Sequence, residues 1–97
     1  MGLLNKVKQT LWVLQFEVES EAEDHIIATK TFKEKYAMFN LTVDADTNGI
    51  YLLLSMNGKI VREVPAKLIK NFSDFTKILH RALGYISKYN NYYNEFI

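Results

Sequence analysis

The side chains of this 97-residue chain that could do chemistry fall into four groups, and cysteine is in none of them because the chain has none. That absence removes disulfides, thiolate metal sites and cysteine nucleophiles together, and fits a reducing compartment. The first group is Asp44-Ala45-Asp46-Thr47-Asn48-Gly49. It follows the first half of a calcium-binding loop, in which alternate oxygens converge on one point and a glycine permits the sharp turn. Position 12 of such a loop would be Ser55, where a bidentate glutamate is required, and strands rather than helices flank the segment. A hairpin loop whose Asp and Asn side chains cap their own backbone is the expectation, with no metal and no other cofactor.

The second group is Glu17, Glu19, Glu21 and Glu23, spaced by two. On a strand they would share one face; on a helix they would scatter. Paired carboxylates do acid–base work only when their surroundings split their pKa values, and nothing apolar surrounds this run. It reads as a solvated acidic edge that can receive a basic partner. The third group, His25 and His80, lies 55 residues apart and in no metal-ligand spacing. The fourth, Ser20, Ser55, Ser73 and Ser87, has no nucleophile-elbow context, and the chain has no phosphate-cradling glycine loop and no H-E-x-x-H. No residue presents itself as a catalyst, so a non-enzymatic role is expected.

The elements that position these groups follow from periodicity. Leu3 or Leu4, Val7, Leu11, Leu14 and Val18 recur at helical spacing, which predicts a helix from about Leu3 to Leu14. Trp12, Leu14, Phe16 and Val18 also alternate, so a helix that passes into a strand near Gln15 satisfies both patterns; a helix continued to about Ala22 competes with it. Residues 19–25 have no apolar face and read as an exposed turn. Ile26 to Phe32 is rich in β-formers. Ala37, Phe39, Leu41 and Val43 alternate with Tyr36, Met38, Asn40 and Thr42, as in a sheet with one covered face. Ile50 to Met56 reads as a central strand. Asn57-Gly58 is a strong hairpin signal, because both residues tolerate the positive φ of a type I′ turn. Lys59 to Val64 pairs back, its charges and Pro65 suiting an edge.

The last element is the longest. Asn71 or Ser73 can cap a helix whose core stripe is Phe72, Phe75, Leu79, Ala82, Leu83, Ile86, Tyr93 and Ile97. From Phe72 to Phe96 it would run roughly 37 Å at about 1.5 Å per residue. A compact chain of this size has a diameter near roughly 32 Å, so the helix can overhang its own domain. The predicted fold is α+β: one domain over 1–97, with an N-terminal helix, an antiparallel three- to four-stranded meander, and a long C-terminal helix packed on one sheet face.

Composition narrows the function classes. Hydrophobic residues make up 48% and charged residues 24%, a globular balance. Met1 to Leu14 is broken by polar residues and is no signal peptide, and no apolar run reaches the roughly 18 residues needed to span a bilayer, so a cytoplasmic chain without membrane contact is expected. Net charge is +1, too small to attract nucleic acid as a whole. It is unevenly spread: residues 1–24 set Lys6 and Lys8 against Glu17, Glu19, Glu21, Glu23 and Asp24, and the rest of the chain is net basic.

Tyr85, Tyr89, Tyr92, Tyr93 and Phe96 crowd the end of the last helix and admit three readings: a wide core contact with the N-terminal helix, an interaction surface for a second copy or another protein, since tyrosine offers large area at low entropy cost, or base stacking helped by Arg81 and Lys88; the interaction surface is the site expected. The alternative is single-stranded nucleic-acid binding on the open sheet face through Tyr36, Met38, Tyr51, Lys59 and Arg62. The stretch Val61-Arg62-Glu63-Val64-Pro65, then Phe72-Ser73-Asp74-Phe75, then Tyr89 to Glu95 resembles the YbjN-like proteins of the type III secretion chaperone-like fold group, over the last 60 residues or so. That resemblance implies the same order of elements and a protein-binding or chaperone-like role, usually dimeric, with no catalytic residues to carry over. The segment from Glu19 to Lys35 departs from that pattern.

Overall fold

A computed structural model describes residues 2–34 and 37–95, with side chains placed as far as residue 88. Helix α1 spans Leu3–Val13, and β1 (Glu17–Ala22), β2 (His25–Lys33), β3 (Met38–Asp46), β4 (Ile50–Met56) and β5 (Lys59–Val64) follow in order. One 3-10 turn at Ala66–Leu68 leads to α2, Phe72–Glu95. The strands form one antiparallel sheet in the order β1-β2-β3-β4-β5. Each connection is a hairpin, so position across the sheet repeats position along the chain.

The sheet has five strands where apolar alternation predicts three or four. The additional strand is β1. All six of its residues are exposed, and beyond Val18 it carries no alternation to read. The exposed turn expected over 19–25 shrinks to Glu23–Asp24, because Ala22 already pairs with His25.

Helix α1 ends by the earlier of the two expected routes. Gln15 takes a positive φ of 63°. Its N–H donates to the Trp12 carbonyl at 3.0 Å, and the Phe16 N–H donates to the Leu11 carbonyl at 2.9 Å. That is a Schellman cap, closed by contact between buried Leu11 and Phe16, and it turns the chain into β1. At the β4–β5 turn Asn57 and Gly58 have φ of 52° and 83°, as a type I′ hairpin requires. Asn71 caps α2, its Oδ1 accepting the Asp74 N–H at 2.8 Å.

Both helices lie on the same sheet face. Ile26, Ala28, Phe39, Leu41, Val43, Leu52 and Leu54 point toward them and are buried with Val7, Leu11, Phe75, Leu79, Ala82 and Ile86 in one core. The opposite face is open and polar, with Thr29 bonded to Thr42 at 3.1 Å and Thr31 donating to Asn40 at 2.8 Å. Two lysines fix α1 at the β1 side. Lys8, 6% exposed, donates from Nζ to the Ala22 carbonyl at 2.6 Å and lies 3.5 Å from Glu21. Lys30 of β2 donates to the Leu14 carbonyl at 2.6 Å, placing a cation at the negative end of the α1 dipole.

Gln15 holds its left-handed conformation at a cost of roughly 1–2 kcal/mol. Gln15→Gly removes that cost and loses about 0.4–1 kcal/mol to the freer unfolded chain. The expected net gain is about 0.5 kcal/mol, seen as a rise in Tm of about 2–4 °C by circular dichroism. Gln15→Val is expected to lower Tm.

Candidate functional site: a groove between β5 and α2

Five strands at about 4.8 Å spacing place the outer strand axes roughly 19 Å apart, and each packed helix covers a band of about 8–10 Å. Two helices side by side, about 16–20 Å together, therefore leave the margins of the sheet at its two edge strands uncovered. Helix α1 packs over β2 and β3, tied to the β1 side by Lys8 and Lys30, and α2 lies beside it, so β1 is exposed at one edge and most of β5 at the other. Of β5 only Val64 is buried; Ile60, at 65% exposure, lies on the open side opposite Ser55.

Over β5 the covered face becomes a groove of about 250 Å³. Leu52 and Leu54 of β4 form its floor, Val61, Arg62 and Val64 of β5 one wall, and Ile78, Arg81, Ala82 and Tyr85 of α2 the other. The β5 wall depends on a bulge. The register jumps from Leu54↔Arg62 to Ser55↔Ile60, which leaves Val61 as an extra residue and turns Val61 and Arg62 together toward the helix. On α2, Ile78, Ala82 and Tyr85 are spaced i, i+4, i+7, one stripe beside the core stripe. The Tyr85 ring meets Phe39 edge-on, with centroids 6.1 Å apart and planes at 86°. That contact fixes the end of the groove.

The groove is apolar within and cationic at its mouth. Neither Arg62 nor Arg81 forms an ion pair among the described residues. The nearby carboxylates are committed elsewhere. Glu63 faces the open side, opposite Leu53, where it accepts a hydrogen bond from Tyr51. That bond, then partial desolvation, then the negative charges of Glu63 and Asp44, hold the Tyr51 phenol above its usual 10.0, so the neutral, donating form persists to higher pH. Asp74 accepts the Lys70 N–H at 3.2 Å.

The residues expected to form an interaction surface are brought to this site only in part. Tyr85 is there, 42% exposed. Tyr89, Tyr92 and Tyr93 continue α2, but their side chains, like all of Phe96, lie outside the described residues. The set expected for nucleic-acid stacking is divided between faces. Met38 and Tyr51 lie on the open face, and Tyr51 sits between Asp44 and Glu63, charges that repel phosphate. Lys59 pairs with Met56 and Arg62 with Leu54, both on the covered face. Tyr36 lies outside the described residues. In the Asp44–Gly49 loop, Asp46 Oδ1 accepts the N–H groups of Asn48 and Gly49 at 2.7 and 3.0 Å, the self-capping turn expected. Gly49 is needed there because a Cβ would stand 2.7 Å from that of Ala66. Among the described residues no three His, Asp or Glu side chains converge to hold a metal, and no helix is long and apolar enough to cross a membrane.

One cluster that spacing alone does not reveal forms across the β1–β2 hairpin. Ser20 Oγ lies 3.0 Å from His25 Nε2, and His25 Nδ1 lies 3.4 Å from Asp24 Oδ1. The order matches a Ser-His-Asp relay, but its setting does not. Asp24 is 77% exposed, so water screens it from the imidazole, and Ser20 stands on an exposed edge strand that lines none of the cavities. A fluorophosphonate probe is expected to leave Ser20 unlabelled at neutral pH by intact-mass spectrometry; stoichiometric labelling would establish an activated serine. The chain matches no protein-family model and shows no significant similarity to a curated protein or a solved structure.

Proposed function

We propose that this chain is a non-enzymatic protein-interaction module that docks its partner in the groove between β5 and α2. The observation that carries the reading is an apolar groove at the β5 edge of the covered sheet face, walled on one side by α2, with two arginines that form no ion pair among the described residues. Its volume falls below the roughly 300–1,000 Å³ of sites that bury a drug-sized ligand, which favours a few docked side chains over a small molecule. Tyr85 and the arginines are the residue types that dominate protein-binding energy. The chaperone-like role implied by the resemblance to YbjN-like proteins is one form such docking takes. The nucleic-acid alternative loses its support on the open face, where the acidic neighbours of Tyr51 stand in place of cations.

A photo-crosslinking amino acid at position 85 tests the reading in living cells. It is expected to give a discrete adduct with another polypeptide, and Ile78→Asp is expected to abolish it while the circular dichroism spectrum stays folded. The same amino acid at position 42, on the open face, serves as control. No adduct from position 85, or the same adducts from both positions, would overturn the proposal.

A further inference from the structure

The charge around the groove identifies the chemistry of what fills it. Arg62 and Arg81 line the mouth. Lys77 and Lys88 lie four residues before and seven after Arg81, on the same exposed side of α2, and Lys59 is exposed on β5. These are five cations, and the two nearest carboxylates, Glu63 and Asp74, are engaged elsewhere. The cations are a consequence of topology. Because the meander keeps chain order, the acidic run of β1 lies at the opposite edge of the sheet, four strand spacings or about 19 Å away.

The backbone identifies the shape of the occupant. Strand addition at β5 is opposed by the Val61 bulge, which breaks the ladder an added strand would follow. The helix wall instead presents Ile78, Ala82 and Tyr85 over two turns, about 10 Å at 1.5 Å per residue, the i, i+4, i+7 spacing that a docked helix matches turn for turn. A second copy offers no helix of the right charge, because its acidic run lies on a strand, β1, whose own register irregularity sits at Val18/Ser20. Its α1 carries Lys6 and Lys8 with no carboxylate, and its α2 carries Lys77, Arg81 and Lys88 along its middle, with Asp74 and Glu95 only at its two ends. Two grooves face to face would oppose Arg62 and Arg81 to the same residues.

Resting on the docking reading above, we infer that the groove takes an amphipathic helix from a different protein, apolar on one side and flanked by carboxylates that meet Arg62 and Arg81. Helix-in-groove docking supplies the apolar anchors, and the charge pairs supply partner choice and orientation.

The probes are two synthetic amphipathic helices with the same leucine face, one flanked by glutamates and one by lysines, titrated into the full chain by fluorescence anisotropy at low salt. The glutamate helix is expected to bind at least about tenfold more tightly, the difference shrinking as salt screens the pairs. It is expected to shift the amide resonances of Val61, Ile78, Ala82 and Tyr85. Arg62→Glu with Arg81→Glu, both exposed and so compatible with folding, is expected to reverse the preference. Equal affinities, failure to reverse, shifts confined to other residues, or no binding at low salt would overturn the inference. So would self-association in sedimentation that Val61→Asp removes, or equal binding of an oligonucleotide or of a glutamate helix lacking leucines. A crosslinked partner at position 85 together with any of these results would leave the docking site standing and refute only the acidic helix.

Discussion

The rest of the structure depends on where two lysines hold the first helix. Lys8 reaches from α1 to the Ala22 carbonyl and Glu21 of β1, and Lys30 reaches from β2 to the carbonyl that ends α1. Each buries its aliphatic stem along the apolar face and gives its ammonium group to oxygen acceptors, which makes a cation tolerable there. Together they tie α1, which packs over β2 and β3, to the β1 side of the sheet. Helix α2 then lies beside it, and the two helices leave β1 and all of β5 but Val64 exposed at the edges. The groove is the remainder of that division, and no residue in it has to be arranged for the purpose except at the bulge.

Chain order does the rest. In a meander every strand neighbours the next, so an uneven charge distribution along the chain becomes a charge gradient across the sheet. Both edges carry charges, and each has one register irregularity, at Val18/Ser20 in β1 and at Val61 in β5. These features keep exposed edge strands from pairing with other chains. At β5 the same bulge also turns Val61 and Arg62 into the groove, so one local distortion blocks sheet extension and builds the wall of the candidate site.

Much of this architecture is legible in the sequence, because it rests on local chemistry. Asn57-Gly58 announces its turn, Asn71 its helix, and the alternation from Ala37 to Val43 a strand with one covered face. The rest depends on pairing. The alternation through Phe16 and Val18 announces the start of strand β1, but from Glu19 to Ala22 the strand exists because β2 offers it a ladder. Parity along β5 places Arg62 on the open face only if the strand is regular; the added Val61 moves it to the other. Ser20, His25 and Asp24 meet only through the hairpin register. Tyr85 is the one residue of the expected interaction surface that the described side chains carry into the groove; Ile78 and Arg81 share its helix and its spacing, but Leu54 and Val61 come from strands whose adjacency to α2 no spacing reveals.

The most direct measurement is methyl-resolved NMR of the full chain titrated with xenon, which enters apolar gaps without needing a specific partner. The account predicts saturable shifts of the Leu52, Leu54, Val61 and Ile78 methyl groups, with Val7 and Leu11 under α1 unaffected. Shifts absent from those four residues, or spread evenly through the core, would contradict it, because the sheet would then be roofed as far as β5 and no groove would exist.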